Sequence, residues 1–483
     1  MREKRSGRSG TSDAEACWQS LVKPSRTLPA AAVLLALAAP AAPAEAARHR
    51  PPQLTRIRCV PATTPSCKSS VSVTIGRQLQ FSGKRIAKGL RVSFRWSRGA
   101  LATKLDRTRV GYVARVPAGT RAGTVSVTVS DRAGRRSNVK RIRVAAPPRV
   151  GGSAVAPGVL PDVFKGNGMW IWELARSEGG DPAAIAARAQ ASGIQTVFVK
   201  SSDGPRSRWA QFNPTLVQAL HAGGLRVCAW QFVYGDDPVG EASLGADAVA
   251  DGADCLVVDA ETKYEGKYAA AQQYMAALRA TVGPAYPIGF TSFPYVDYHP
   301  RLPYSVFLAP GAAQANLPQV YWKDIGATVD AASAKTLAAN RIYGAAIAPL
   351  GQTYGNVPPE DIARFRALWA AYGSQGLSWW SWQASGAAQW AAIAQPLALP
   401  PLPPPDPGWP ALARGNKGDQ VAWLQQHLAS ADPSVTVTST FDTATEQALR
   451  AFQTARGIPP TGATDAPTWQ AVLSLPFQPT AWR

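Results

Sequence analysis

The chain has 483 residues, which at ordinary domain sizes is enough for about three domains. Its hydrophobic content of 46% is that of a globular protein, and this excludes a long disordered polyelectrolyte. The net charge of +20 is unevenly placed, because residues 1–150 contain 30 of the 51 Lys and Arg but only 6 of the 31 Asp and Glu. A basic N-terminal part on a near-neutral body indicates either a polyanionic partner or simply a soluble basic surface.

Residues 1–46 have the pattern of a signal peptide. A basic stretch precedes the short apolar run Leu28–Ala39, and Ala44–Ala46 supplies the small-x-small cleavage pattern. The apolar run is shorter than the ~20 residues that a bilayer span needs. We therefore predict a secreted, extracellular protein. In such a protein Cys59 and Cys67, eight residues apart, are expected to close a small disulfide loop.

Residues 52–146 alternate apolar and polar side chains with a period of two. Six such runs are separated by turn residues at short, regular intervals, which is typical of a small β-sandwich. The stretch AGTVSVTVSDRAGRRS resembles the last hairpin of immunoglobulin-like modules in bacterial surface proteins. We predict an all-β, immunoglobulin-like sandwich that is basic and has no catalytic group.

Residues 164–395 lie between two linkers, at 147–163 and 396–410. Apolar strand runs alternate with helical segments eight times over this region, which predicts a (β/α)8 TIM barrel. An open doubly wound sheet is the alternative, but its Gly-rich turn after the first strand is missing. Asp181 is expected to cap a helix that begins at Pro182. The eight prolines of the second linker predict an extended, semi-rigid spacer.

Asp259 and Glu261 are the sharpest candidates for chemistry. Active sites of such barrels lie at the carboxyl ends of the strands, and these two residues end the fourth predicted strand. As residues i and i+2 of one strand they point the same way. Two close carboxylates raise one pKa and so keep a proton for a leaving group, as glycosidic cleavage requires. The alternative is a structural pair held by Lys200 or Lys263.

Other polar and aromatic side chains follow the remaining strands. Glu173, Asp203 and Asp324 are candidates for a second catalytic carboxylate. Aromatic faces suit sugar rings, although each aromatic side chain could equally fill a core. The predicted substrate-binding residues are Trp172, Trp230, Tyr234, Tyr321, Trp380, Trp382 and Gln383.

The barrel region resembles the family 25 glycoside hydrolases, the muramidases of phages and bacteria. The similar stretches are TVFVKSSDG, AGGLRVCAWQF, VVDAE and WSWQAS. The resemblance implies that Glu261 is the general acid and Asp259 its carboxylate partner, with the nucleophile supplied by a carboxylate or by the N-acetyl group of the sugar. Two acids of the family pattern are missing, because GMWIWE opens the barrel and GAAQWAAIAQ follows its last strand.

Other wall-enzyme classes fit less well. The four histidines are scattered at positions 49, 221, 299 and 427, so we predict no metal site and no cofactor. Cys228 and Cys255 fall on consecutive strand runs and could be a disulfide or two buried thiols.

Residues 411–476 resemble the small all-α, three-helix peptidoglycan-binding domain of bacterial and phage wall hydrolases. The resemblance covers nearly the whole segment, including FDTATEQALRAFQTARGIPPTGATDAPTWQAVL. It predicts peptidoglycan as the partner, and we expect a monomer. The residues predicted to bind peptidoglycan are Gln425, Gln453, Phe452 and Trp469.

Two functions follow from these features. The first is a secreted glycoside hydrolase that cleaves the glycan strand of peptidoglycan. The second is a non-catalytic wall adaptor whose barrel binds glycan without cutting it. In either case the basic sandwich could hold an anionic wall polymer or a membrane surface, and no feature predicts a specific nucleic-acid site.

Overall fold

The structure is a computed structural model. It describes residues 50–60, 72–74, 78–97, 99–109, 111–117, 120–121, 123–145, 158–400 and 404–482. The predicted signal peptide (residues 1–46), Cys67 of the predicted disulfide loop and most of the predicted linker 147–163 lie outside these residues. In the described part of the chain, no helix has both the length and the apolar character needed to cross a membrane.

The N-terminal region is built from short β-strands. Its described strands are β1 (Gln53–Val60), β2 (Ser72–Thr74), β3 (Gln78–Lys84), β4 (Arg91–Trp96), β5 (Gly99–Lys104), β6 (Asp106–Thr108), β7 (Gly111–Arg115), β8 (Gly123–Ser130) and β9 (Lys140–Ala145). One sheet has the order β1-β3-β7-β6 and is antiparallel. The other has the order β2-β9-β8-β4-β5 and is antiparallel except between β2 and β9.

The two sheets pack face to face around one core. Phe81 of the first sheet and Phe94 and Val127 of the second belong to the same cluster of buried apolar side chains. Burial of each such side chain contributes roughly 2 kcal/mol. The period-two pattern thus predicted the two-sheet arrangement, while the immunoglobulin-like assignment stays a prediction.

A third sheet follows along the chain, and it is almost entirely parallel. Its strands are β10 (Gly166–Ile171), β11 (Ile194–Asp203), β12 (Ser207–Arg208), β13 (Arg226–Val233), β14 (Cys255–Ala260), β15 (Ile288–Thr291), β16 (Ala315–Asn316), β17 (Gln319–Val320), β18 (Ala346–Ile347), β19 (Leu350–Gln352) and β20 (Gly376–Trp380). Only β12 is antiparallel to its neighbour.

Helices connect these strands. They are α1 (Pro182–Ala191), α2 (Pro214–Ala222), α3 (Pro238–Ala250), α4 (Tyr268–Val282), α5 (Tyr304–Phe307), α6 (Trp322–Ile325), α7 (Val329–Asn340), α8 (Pro359–Ala371) and α9 (Ala387–Ala394). The predicted cap of α1 is confirmed, because the side chain of Asp181 accepts from the backbone N–H of Ala183. Asn213 and Asp237 cap α2 and α3 in the same way, each ahead of a proline.

The parallel sheet curls into a TIM-barrel-like arrangement. Pairing runs from β20 through β10, β11, β13, β14 and β15 to β16. Two neighbouring strands of the predicted barrel are each broken into two short pieces, β16 and β17 in one and β18 and β19 in the other. These pieces pair with each other, β16 with β18 and β17 with β19, and β19 pairs with β20. The fold therefore differs from the open doubly wound sheet that was the alternative.

Large aromatic side chains fill the inside of this barrel. Trp170, Phe198 and Trp230 form one buried cluster with Cys228 and Cys255. The two cysteines are direct partners in the register of β13 and β14, and they form a disulfide. The open question between a disulfide and two thiols is thereby answered. Part of the predicted first linker belongs to the barrel too, since Leu160 and Val163 are buried in this cluster.

The C-terminal module contains α10 (Asp419–Leu428), α11 (Thr443–Ala455) and α12 (Ala466–Leu473). Asp442 and Asp465 cap the second and third of these helices. Leu424, Phe452 and Trp469 lie in its small core.

This module packs against the barrel. The buried carboxylate of Asp419 accepts from the N–H and the hydroxyl of Ser305, at 2.8 and 2.6 Å, and from the hydroxyl of Tyr343 at 2.7 Å. The indole of Trp423 donates to the carbonyl of Ile342 at 2.7 Å. The Pro-rich spacer therefore does not separate the two parts, contrary to our expectation from its composition. Composition determines the stiffness of a linker, but surface complementarity decides whether the parts that it joins adhere.

Replacing Asp419 with Ala should lower the free energy of unfolding by about 2 kcal/mol, because buried donors of Ser305 and Tyr343 lose their acceptor. Burial raises the pKa of Asp419 to about 6, so the folded protein binds this proton more tightly than the unfolded chain. Through this group the wild-type protein should gain stability as the pH falls from about 7 to about 4. Urea unfolding at several pH values measures both effects.

The matched control is Glu360→Ala, which removes an exposed carboxylate from the first turn of α8. It should leave the unfolding free energy nearly unchanged. Equal stability of the Asp419→Ala variant and the control would contradict the prediction.

Candidate active site

Asp259 and Glu261 lie together at the carboxyl end of β14. Asp259 is 6% exposed, while Glu261 follows the strand and is half-buried. The amide nitrogen of Gln319 bridges them, with Nε2 at 3.2 Å from Oδ1 of Asp259 and 3.0 Å from Oε1 of Glu261. Gln319 opens β17 on a separate strand of the barrel, so two strands must be in register for this contact to form.

The surroundings make this pair hold a proton. Burial, and then the charge of Glu261, raise the pKa of Asp259 well above its ordinary value, against the opposing charge of Lys200. Burial also raises the pKa of Glu261, although hydrogen bonds from Gln319 and Asp259 oppose the rise. Interacting carboxyls titrate as a unit, so the pair retains one proton at a pH at which separate carboxyls would have lost theirs.

Lys200 on β11 is the buried cation beside this pair. Its Nζ lies 2.6 Å from Oδ2 of Asp203 and 4.7 and 4.8 Å from the ring centroids of Trp230 and Trp209. The hydroxyl of Tyr234 donates to Asp203 at 2.5 Å. Lys200 was predicted only as a structural partner of the pair, and Trp209 was not predicted. Lys200 directly follows an apolar run in β11, and this position was its sequence signal, whereas Trp209 lies outside the strands and had none.

Several of the predicted aromatic residues lie around the opening of the barrel at the carboxyl ends of its strands, which we call the mouth. The ring of Trp380 lies 5.5 Å from that of Trp230 and 6.2 Å from that of Trp172. Trp230 is buried and donates to the carbonyl of Ile171, so it supports the others. Trp172 is partly exposed, and its indole nitrogen has no protein partner. Trp172 and Trp380 thus offer the faces on which a sugar could stack.

Tyr321 lies on the other side of the pair. Burial of its hydroxyl raises the pKa of Tyr321 well above 10. The nearby charges of Asp259, Glu261 and Asp324 act in the same direction. Its ring packs edge-on against Tyr354 at 5.6 Å. Tyr321 therefore presents a protonated hydroxyl close to the two carboxyls.

Trp382 lies away from the mouth. Strand β20 ends at Trp380, so the period-two alternation does not extend to residue 382. The ring of Trp382 is 3% exposed, packs 4.8 Å from that of Trp390, and donates to Glu178. Trp382 therefore belongs to the core of the protein, and the prediction that it binds substrate was wrong. Gln383 is half-buried, and its amide has no protein partner.

The three candidates for a second carboxylate are all engaged. Asp203 is held by Lys200 and Tyr234, as described above. Asp324 accepts from the hydroxyl of Tyr354 and from Nε2 of Gln352. Glu173 is half-buried and lies 3.6 Å from Arg176.

His299 is a neighbour of the pair that the sequence analysis did not identify. It lies in the loop after β15, stacks on Phe293 at 3.5 Å, and its Nδ1 is 2.8 Å from Oε1 of Glu265. A positive charge on His299 lowers the pKa of Glu261. A histidine in a loop carries no strand periodicity, so only the fold places it here.

No group of His, Cys, Asp and Glu side chains suited to a metal ion occurs among the residues that the structure describes.

The residues predicted to bind peptidoglycan have their side chains inside the C-terminal module. Gln425 and Gln453 have no exposed area, and Phe452 and Trp469 are buried in its core. Gln425 donates to Thr445 at 2.9 Å, and Gln453 donates to the carbonyl of Ala463 at 2.9 Å. These two amides stabilise loops of the module, and their burial leaves them no surface for a glycan contact.

Comparison with known proteins identifies this module. Residues 417–472 match the model of the family described as "Putative peptidoglycan binding domain". The predicted C-terminal peptidoglycan-binding domain is thereby confirmed, and the match supports the predicted association with the cell wall. No curated protein was found to be similar to the chain.

Several solved structures are distantly similar to the chain. A family 39 glycoside hydrolase from Bacteroides cellulosilyticus WH2 is 11% identical, with a TM-score of 0.34, over 67% of this chain and 80% of that one. A class V chitinase from Pseudomonas fluorescens Pf-5 is 14% identical, with a TM-score of 0.37, over 47% and 98%. The Bacillus cereus spore cortex-lytic enzyme SleL is 9% identical, with a TM-score of 0.37, over 53% and 76%.

Replacing Lys200 with Met should raise the pKa of the Asp259–Glu261 pair, because the charge of Lys200 opposes the effect of burial on Asp259. Carboxyl-carbon NMR during a pH titration measures this without a substrate. Lys263→Met is the matched control, since Lys263 is exposed in the turn after Glu261. An unchanged titration in the Lys200 variant would contradict the assigned electrostatics.

Proposed function

We propose that this protein is a secreted, wall-associated glycosidase that cleaves the glycan strand of peptidoglycan. The observation that carries the proposal is the proton-holding pair of Asp259 and Glu261 at the aromatic-lined mouth of the barrel. The peptidoglycan-binding domain on the same chain supports this choice of substrate. The predicted signal peptide supports secretion.

Exposure divides the roles of the two carboxyls. Glu261 is half-buried and reaches the mouth, so it is the group that protonates the glycosidic oxygen as the bond breaks. Asp259 is almost fully buried behind it and acts on Glu261 rather than on the sugar. Gln319 fixes the spacing of both carboxyls, and Tyr321 offers a hydroxyl to the reacting sugar.

The nucleophile that attacks the sugar is inferred from the contacts of the candidate carboxylates. Asp203 and Asp324 are both held in hydrogen-bonded pairs, and Glu173 lies 3.6 Å from Arg176. The N-acetyl oxygen of the substrate is then the remaining nucleophile, as the family resemblance allows. Water completes the reaction by attacking the sugar carbon. The bond between that carbon and the N-acetyl oxygen then breaks, and a proton of the water passes to Glu261.

A non-catalytic adaptor is the second candidate. The engagement of all three predicted second carboxylates favours it, because a barrel without a free acid across its mouth can still bind glycan through Trp172 and Trp380. The same experiment separates the two functions.

Glu261→Gln should reduce the release of reducing ends from purified peptidoglycan by about 10²- to 10⁴-fold, because the amide cannot give up a proton. Binding to insoluble wall should stay at the wild-type level. Glu360→Gln, an exposed change on α8, is the control and should keep full activity. If the wild-type protein retains wall fragments for days but releases no ends, the adaptor is correct.

The activity of the wild-type protein should fall as the pH rises through the upper pKa of the pair, because the acid must be protonated. That pKa lies above 4.5, the ordinary value for glutamate. Gln319→Leu removes a hydrogen bond that lowers the pKa of Glu261, so it should move this alkaline limb to higher pH. A profile of kcat/KM against pH measures the shift, and a limb that stays in place would contradict the role of Gln319.

A further inference from the structure

The outer face of the sheet β2-β9-β8-β4-β5 carries an unusual set of exposed cations. Side chains on this face alternate with core residues such as Val92, Phe94 and Ile142. Among the described residues of this sheet, five basic side chains point outward from the strands and are exposed, and they are Arg91, Arg95, Lys104, Arg141 and Arg143. We call them the basic face.

The strand register arranges the basic face as a grid. Arg91 lies directly opposite Lys104, and Arg95 lies in one row with Ser126 and Arg141. Neighbouring strands are about 4.8 Å apart, and alternate residues along a strand about 7 Å apart. Each of these cations is therefore about 5–10 Å from its nearest neighbour in the basic face.

Nothing in the described protein neutralises these charges. Residues 52–146 contain only two acids, Asp106 and Asp131, and these pair with Lys88 and Arg135. Within the described residues, no carboxylate lies within ion-pair distance of the basic face. Like charges placed directly opposite on neighbouring strands, as Arg91 and Lys104 are, destabilise a sheet. An arrangement that costs stability suggests that an external anion supplies the missing charge.

The basic face also points away from the rest of the protein. The sandwich touches the barrel through the other sheet, where Arg115 at the end of β7 contacts Ser243 and Asp247 on α3, at 2.7 and 3.1 Å. The basic face is consequently free to meet a large partner while the barrel works.

We propose that the basic face binds a linear wall polymer with regularly repeated phosphates, a function separate from the proposed glycosidase. Arginine binds phosphate through two parallel N–H groups. Hydroxyls of Ser93, Thr124, Ser126 and Thr128 line the strands between the cations and suit phosphate and sugar oxygens. The peptidoglycan-binding domain brings the protein to the wall, where such a polymer would be met.

Two other polyanions fit this face less well. Bases of single-stranded nucleic acid stack on aromatic side chains, and the described strands present none on this side. A membrane surface favours apolar side chains that insert, whereas Val139 is the one large exposed apolar side chain on this face among the described residues.

The test uses the full chain and linear inorganic polyphosphate as the probe, with binding followed by calorimetry at several salt concentrations. The variant Arg91→Gln, Arg95→Gln, Arg141→Gln, Arg143→Gln should lose about tenfold or more in affinity and show a shallower salt dependence. The control variant removes four exposed cations elsewhere on the sandwich, by the substitutions Arg56→Gln, Arg58→Gln, Lys84→Gln and Arg109→Gln. Its affinity for polyphosphate should fall by less than about twofold. The first variant should melt no lower than wild type, because it relieves repulsion.

Three results would overturn the proposal. They are equal losses in both variants, tighter binding of phosphatidylglycerol vesicles or single-stranded DNA than of polyphosphate, and no polyphosphate binding at about 0.1 M salt. None of them bears on whether the barrel cleaves glycan, because binding is measured without turnover.

Discussion

Burial of two neighbouring carboxyls at the end of one strand is the constraint on which the candidate site depends. A carboxylate taken out of water needs hydrogen-bond donors or a nearby cation, and otherwise holds its proton. Here the donor is Gln319 on β17 and the cation is Lys200 on β11, on opposite sides of β14. The curled sheet brings these strands together, so the fold is a condition of the protonation state that the proposed chemistry requires.

A second buried carboxylate joins the peptidoglycan-binding domain to the barrel. Asp419 begins α10, and its backbone N–H donates to the carbonyl of Pro300 at 2.7 Å. Pro300 follows His299, whose charge acts on Glu261. The loop after β15 therefore touches the wall-binding domain on one side and the candidate site on the other. Gly418 fits here only as glycine, because a Cβ would lie 2.5 Å from Pro300 and its φ is +117°.

The three parts of the chain differ in which of their surfaces contact the rest of the protein. The sandwich meets the barrel through a single sheet and leaves its basic face outward. The C-terminal domain is fixed to the barrel near the mouth. For the glycosidase that we propose, such an arrangement would hold a glycan strand in a set direction relative to Glu261, which a flexible tether would not do.

The sequence by itself determined whatever depends on local periodicity and chain order. Alternation with period two predicted the sandwich strands, eight strand and helix runs predicted the barrel-like sheet, and Asp259 and Glu261 were placed together because residues i and i+2 share a side of a strand. Only the tertiary structure decided contacts between distant segments. Gln319, His299 and the environment of Lys200 became visible only there, Trp382 turned out to face the outer core, and Gln425 and Gln453 proved to be buried braces. The physical reason is that local patterns fix which side of an element a residue occupies, whereas packing between elements decides what that side meets.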